Sequence, residues 1–190
     1  MTPRSPNHIT EAELYTGSVA RLASLFYDDL RELGQFEPVA PDDLLDDYRT
    51  LLAHNDHMTV TLEAFHGSLV DVRVLGEWQD EASYARNSLL ARHRDGSVLQ
   101  FGIMRLWLGD LPAAAREEIT TEQLPLGRVL INHNVLRQVE LITLWRIAPG
   151  PALKRHLKLA NNDPIFGRSA QILVDERPTV QLLEIVCLTK

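Results

Sequence analysis

Three features of the chain combine residue types and settings that suit binding or proton chemistry. The first is Glu184, inside the stretch Thr179–Leu188. That stretch is rich in β-branched and large apolar residues, which predicts a strand. Alternation places Val180, Leu182, Glu184 and Val186 on one face and Gln181, Leu183, Ile185 and Cys187 on the other. Both faces are mostly apolar, so the Glu184 carboxylate is expected to face an interior or a pocket, where it needs a cation, a strong donor or a proton. Burial would raise its pKa and fit it for proton traffic near neutral pH. The alternatives are an edge-strand Glu in water and a structural ion pair. The second feature is Arg86, on the strand-like run Tyr84–Arg92, sharing a face with Tyr84, Ser88 and Leu90; the long strand opposite, Ser97–Leu108, carries Gly102 in its middle, the mark of a bulge or of close backbone approach to a ligand. The third is Asn55-Asp-His-Met-Thr59, where Asn55 or Asp56 can cap a helix whose first N–H groups, around Met58, form a ready anion site.

Other reactive side chains carry less. His54 and His57 are three apart, but no Cys or further His follows at ligand spacing, so no metal is expected. His133 and His156 are expected to be exposed or satisfied in the core. Cys187 lies opposite Glu184 in the alternation and is expected to be core rather than nucleophile. Glu140, also on a strand, is the rival to Glu184 as a buried acid.

The elements that must position these groups follow from periodicity. Residues 1–9 form a lead-in. Thr10-Glu-Ala-Glu13 fits a capping box, and Leu14, Val19, Leu22, Leu25, Phe26, Leu30 and Leu33 continue at helical spacing to Gly34. A second helix is expected from Pro41 to about His54, with Asp42, Asp43, Asp46 and Asp47 at its positive end, and a third over about His57–Phe65, closed by Gly67. From Ser68 the period becomes 2. Strands are expected at Leu69–Leu75, Tyr84–Arg92 and Ser97–Leu108, the last two joined at Asp95-Gly96. Short helices follow from Leu111-Pro112 and Arg128, then a strand at Gln138–Ile147, a basic helix at Pro151–Leu159 and a last hairpin, Phe166–Val174 with Thr179–Leu188. Hairpins with grouped helices, rather than βαβ alternation, predict an α+β fold with about six mostly antiparallel strands.

The 190 residues are 45% hydrophobic and carry a net charge of −7. That size suits one domain, taken as residues 42–190, with an N-terminal extension at 1–41 bearing the amphipathic helix. The acidic balance argues against nucleic acid as a partner. One cysteine excludes an internal disulfide. No apolar run approaches the roughly 18 residues of a membrane helix, and Met1–His8 lacks the apolar core of a signal peptide. A cytoplasmic monomer or homodimer is expected.

Taken together, Asn55-Asp-His-Met-Thr59, Tyr84-Ala-Arg-Asn-Ser-Leu-Leu90, Pro125-Leu-Gly-Arg128, Phe166-Gly-Arg168 and Leu182-Leu-Glu-Ile185 resemble, in order and separation, the chorismate lyase family and its diverged bacterial and archaeal relatives. The resemblance spans about residues 42–188. It implies an antiparallel sheet with a ligand buried beneath helical flaps, and elimination of pyruvate from chorismate to leave 4-hydroxybenzoate, without metal or organic cofactor. It implies that Arg86 binds the ring carboxylate, that backbone at Met58 and Leu126 completes that carboxylate's shell, that Gly102 lies on the site-facing strand, and that Glu184 faces the oxygen at the far end of the ring. Ile103 departs from the family, whose better-known members carry Arg there, and this bears on the pyruvate side. The chemistry is coherent: a guanidinium grips a carboxylate bidentately, and a reaction driven by aromatisation needs only orientation, one proton transfer and exclusion of water.

The same fold also serves as the effector-binding domain of some bacterial transcription regulators, and a fold does not fix a function. A non-catalytic module binding a small aromatic carboxylate is the alternative expectation.

Overall fold

The computed structural model describes residues 11–135 and 137–188. The lead-in at 1–9 and Thr10, with the capping box it was expected to form, lie outside them. Seven strands are present: β1 (Gly34–Val39), β2 (Val70–Gln79), β3 (Ser83–Arg92), β4 (Val98–Trp107), β5 (Arg137–Pro149), β6 (Ile165–Val174) and β7 (Arg177–Val186). They form one sheet in the order β1-β5-β6-β7-β4-β3-β2, antiparallel at every pairing. Six helices accompany it: α1 (Glu11–Ala23), α2 (Asp46–Leu52), α3 (Met58–His66), α4 (Ala113–Thr120), α5 (Leu126–Asn132) and α6 (Pro151–Leu157). The fold is α+β, as periodicity and hairpin signals predict. No helix among the described residues is long and apolar enough to cross a membrane.

Three departures from the sequence reading lie near the front of the chain. The first helix stops at Ala23 rather than Leu33. Asp29 is the physical reason: its carboxylate accepts from the Arg31 N–H at 2.8 Å and starts a separate 3-10 turn, Leu30–Glu32. Leu25, Phe26 and Leu30 still pack against the core, but from turns. The seventh strand, β1, escapes pattern reading because Glu37 and Pro38 dilute it; as an edge strand, pairing only with β5, it tolerates proline. The segment 41–54 likewise divides, into a 3-10 turn at Pro41–Asp43 and the short α2.

The two sheet faces have different tasks. One buries Phe101, Ile103, Trp145, Leu183 and Ile185 under α1 and α6. Cys187 packs there as expected, and so does the side chain of Ile103. The other face carries two separate apolar clusters. Tyr84, Met104, Leu106, Ile172 and Val180 meet α4 and α5; Leu90, Leu99 and Val186 meet α2 and α3. Between them runs a line of mostly polar residues, Ser88, Gly102, Glu184 and Arg168, paired across β3, β4, β7 and β6. The gap between the clusters is where the site lies.

Residues 31–34 cross 147–150 at very short range. A Cβ at Gly150 would stand 2.4 Å from the Arg31 carbonyl oxygen and 2.5 Å from that of Glu32. The φ of Gly150 is −82°, open to any residue, so a substitution there acts through sterics alone. Gly150→Ala is expected to cost about 1–3 kcal/mol by forcing these segments apart, measured by urea denaturation.

Candidate functional site

Arg86, Gly102 and Glu184 share one sheet face and line a common cavity. Arg86 is on β3 and Glu184 is two strands away on β7, one side-chain row along. Two strand spacings of about 4.8 Å and a two-residue step of about 6.8 Å put their Cα atoms about 12 Å apart. The cavity encloses about 590 Å³ of atom-free space including its mouth, of which about 60 Å³ admits the centre of a water-sized sphere. That is room for one small ring or a few waters.

Two helix starts close one end. Neither α3 nor α5 has a side-chain cap, and Met58, Thr59, Leu126 and Gly127 line the cavity with their opening turns. First-turn N–H groups and the dipole of α3 both favour an anion there. Gly127 allows the two starts to converge: a Cβ on it would stand 3.1 Å from Thr59 Oγ1. Arg128 on α5 forms an ion pair with Glu63 on α3, and Glu63 also accepts from the Val70 N–H at 3.3 Å. The two helices are thus clamped to each other and to β2.

Arg86 is 2% exposed. Its Nη1 donates to the Ile119 carbonyl at 3.4 Å and Nη2 to the Leu124 carbonyl at 3.1 Å, fastening the segment between α4 and α5 over the sheet. Burial pulls its pKa below the ordinary arginine value, and the neighbouring Tyr84 and Glu122 oppose that shift. Tyr84 donates to Glu122 at 2.9 Å, and Glu122 sits at φ +61° in the same segment. A guanidinium has five donors, and two are engaged by the flap.

Glu184 lies at the other end, 7% exposed. Its carboxylate accepts from Arg168 Nε at 2.7 Å. Arg168 closes the motif Phe166-Gly-Arg168, whose sequence alone assigns it no role. It is fully buried. Nη1 donates to the His54 carbonyl at 2.9 Å and Nη2 to the Asp56 carbonyl at 3.0 Å. Two strands are therefore tied to the loop that opens α3. A basic residue opposite Glu184 in the last hairpin, with Gly167 beside it, was the available signal.

His54 belongs to this loop rather than to a metal site. Its Nε2–H donates to the Leu51 carbonyl at 2.8 Å, while Nδ1 accepts from the Asp56 N–H at 3.1 Å and lies 3.2 Å from Arg168 Nη1. The other candidates stand outside the cavity. Glu140 accepts from Gln171 on the opposite face, His133 meets Glu118 at 2.6 Å, and His156 stacks on Phe101 beneath the sheet. Ile103 belongs to the apolar cluster on the other sheet face, although it is also among the residues that border the cavity.

The fold is similar to that of two solved bacterial domains. One is the ligand-binding domain of a proposed GntR-family transcriptional regulator from Bordetella bronchiseptica, at 12% identity and TM-score 0.50, covering 62% of this chain and 85% of that one. The other is the effector domain of PhnF from Mycobacterium smegmatis, at 12% identity and TM-score 0.50, covering 68% and 87%. At such identity the likeness shows the fold, which is the chorismate lyase-like one. No family model and no curated protein matches the chain. The expected chorismate pyruvate-lyase activity is corrected by these comparisons, which lead to regulator domains. Glu184, expected to face a pocket or to form a structural ion pair, does both: it lines the cavity and pairs with buried Arg168.

Arg168→Met leaves Glu184 buried without its cation and is expected to cost about 3–5 kcal/mol. Arg168→Met with Glu184→Gln should cost less than the two single losses added, measured by urea denaturation as a double-mutant cycle. Burial first, then the Arg168 charge, holds His54 below the ordinary histidine pKa of 6.5; burial also lowers His66 and His156. The unfolded histidines therefore take up protons before the folded ones, and stability falls as pH drops below 6.5, levelling once the folded histidines protonate. Thermal melts between about pH 5 and 8 should show a shallower fall in His54→Gln.

Proposed function

We propose that this chain is a non-catalytic module that binds a small aromatic carboxylate, as the sensing part of a regulatory protein. One observation carries the reading: a cavity of single-ring size has a buried arginine and an uncapped helix start at one end and an ion-paired carboxylate at the other. The ring carboxylate is held by Arg86 with the backbone N–H groups at Met58 and Leu126. Gly102 lies on the cavity floor between Ser88 and Glu184, beneath the ring. Glu184, aimed by Arg168, accepts a hydrogen bond from a donor at the far end of the ring. The small molecule binds without a cofactor.

The geometry also supports a route by which binding becomes a signal. The guanidinium that faces the ligand is the one that fastens the 119–124 segment. A carboxylate arriving at Arg86 changes how firmly that segment is held, which gives the bound and free states different surfaces.

Titration calorimetry with 4-hydroxybenzoate tests the reading. Binding is expected in the parent chain, with a loss of about 100-fold in Arg86→Met, the scale of two charge-assisted hydrogen bonds. Incubation with chorismate should release no pyruvate. Unchanged affinity in Arg86→Met would remove the anchor on which the assignment stands.

A further inference from the structure

Gln100 is a buried polar residue with no partner for its carbonyl. It is on β4, 5% exposed, and it lines the cavity. Its Oε1 is buried and accepts no hydrogen bond. Isolating an amide oxygen in this way is costly unless something else supplies a donor. The amide does not lie flat against its own strand position. Its Nε2 is 3.1 Å from the place a Cβ on Gly102 would occupy, so the side chain folds back over that glycine. Gly102 in turn pairs with Ser88 on one side and with Glu184 on the other. The Gln100 amide therefore sits on the cavity floor between Ser88 and Glu184, flanking the line from Arg86 to Glu184 rather than ending it.

Resting on the reading above, we infer that the ligand carries two adjacent hydrogen-bonding groups at the end away from its carboxylate, one for Glu184 and one for the Gln100 amide. On a single ring this is a benzoate with vicinal hydroxyls. The first hydroxyl, para to the carboxylate, donates to Glu184. The second, meta, donates to Gln100 Oε1, and its own oxygen can accept from Nε2. An amide matches a hydroxyl in both senses, whereas a methyl or a hydrogen at that place leaves Oε1 isolated. Gly102 is part of the same device. Any larger residue there displaces the amide from the floor.

The test compares 3,4-dihydroxybenzoate with 4-hydroxybenzoate by titration calorimetry, in the parent chain and in Gln100→Met. That substitution keeps side-chain length and removes an unsatisfied acceptor, so the variant folds. The parent chain is expected to prefer the dihydroxy acid about tenfold, the scale of one satisfied buried acceptor. Gln100→Met should bring the two affinities within about twofold, chiefly by weakening the dihydroxy acid. Equal affinities in the parent chain, or a preference that persists in Gln100→Met, overturn the inference while 4-hydroxybenzoate binding upholds the site itself. Failure of both acids to bind at millimolar concentration overturns the inference and the proposed function together.

Discussion

A guanidinium with no access to water must place its donors on fixed acceptors, because an unmatched buried charge costs several kcal/mol. Arg168 meets that demand with one carboxylate from β7 and two backbone carbonyls from the loop before α3. Much of the site follows from those bonds. The carbonyls of His54 and Asp56 are held in place, so α3 starts where its first N–H groups face the cavity. The carboxylate of Glu184 is oriented, so its remaining acceptor capacity is directed inward. His54 is locked as the Nε2–H tautomer between Leu51 and Asp56. Removing the charge would release a loop, a strand and a helix start at once.

The second buried arginine works in a different way. Arg86 uses carbonyls of the covering segment, not a carboxylate, as hydrogen-bond acceptors. Carbonyls hold a guanidinium in place without removing its charge, and Glu122 and Glu77 stand near enough to favour that charge electrostatically. The two ends of the cavity thus differ: Glu184 is bonded directly to Arg168, whereas Arg86 is bonded to backbone carbonyls.

A fold does not fix a reaction. In this chain the acid on β7 accepts a 2.7 Å charged hydrogen bond from Arg168, which orients its carboxylate. The similar solved domains are a ligand-binding domain and an effector domain.

Much of this was legible in the residues. Period-2 alternation grouped Arg86 with Tyr84, Ser88 and Leu90, and Glu184 with Val180, Leu182 and Val186, because side-chain direction along a strand is a local property; that these groups share a face follows from the pairing of β3, β4 and β7. Gly67 ended α3 and Asp95-Gly96 made the β3–β4 hairpin for equally local reasons of backbone conformation. The front of the chain was less legible. Asp29 interrupted an apolar stripe that otherwise continued at helical spacing, and β1 depends on β5 for a partner more than a hundred residues away. The roles of Arg168 and Gln100 were decided only by the tertiary structure. Whether a carboxylate is ion-paired, and whether an amide oxygen is left without a donor, depends on groups brought together from distant segments. No spacing along one strand specifies which acceptors a buried cation will find.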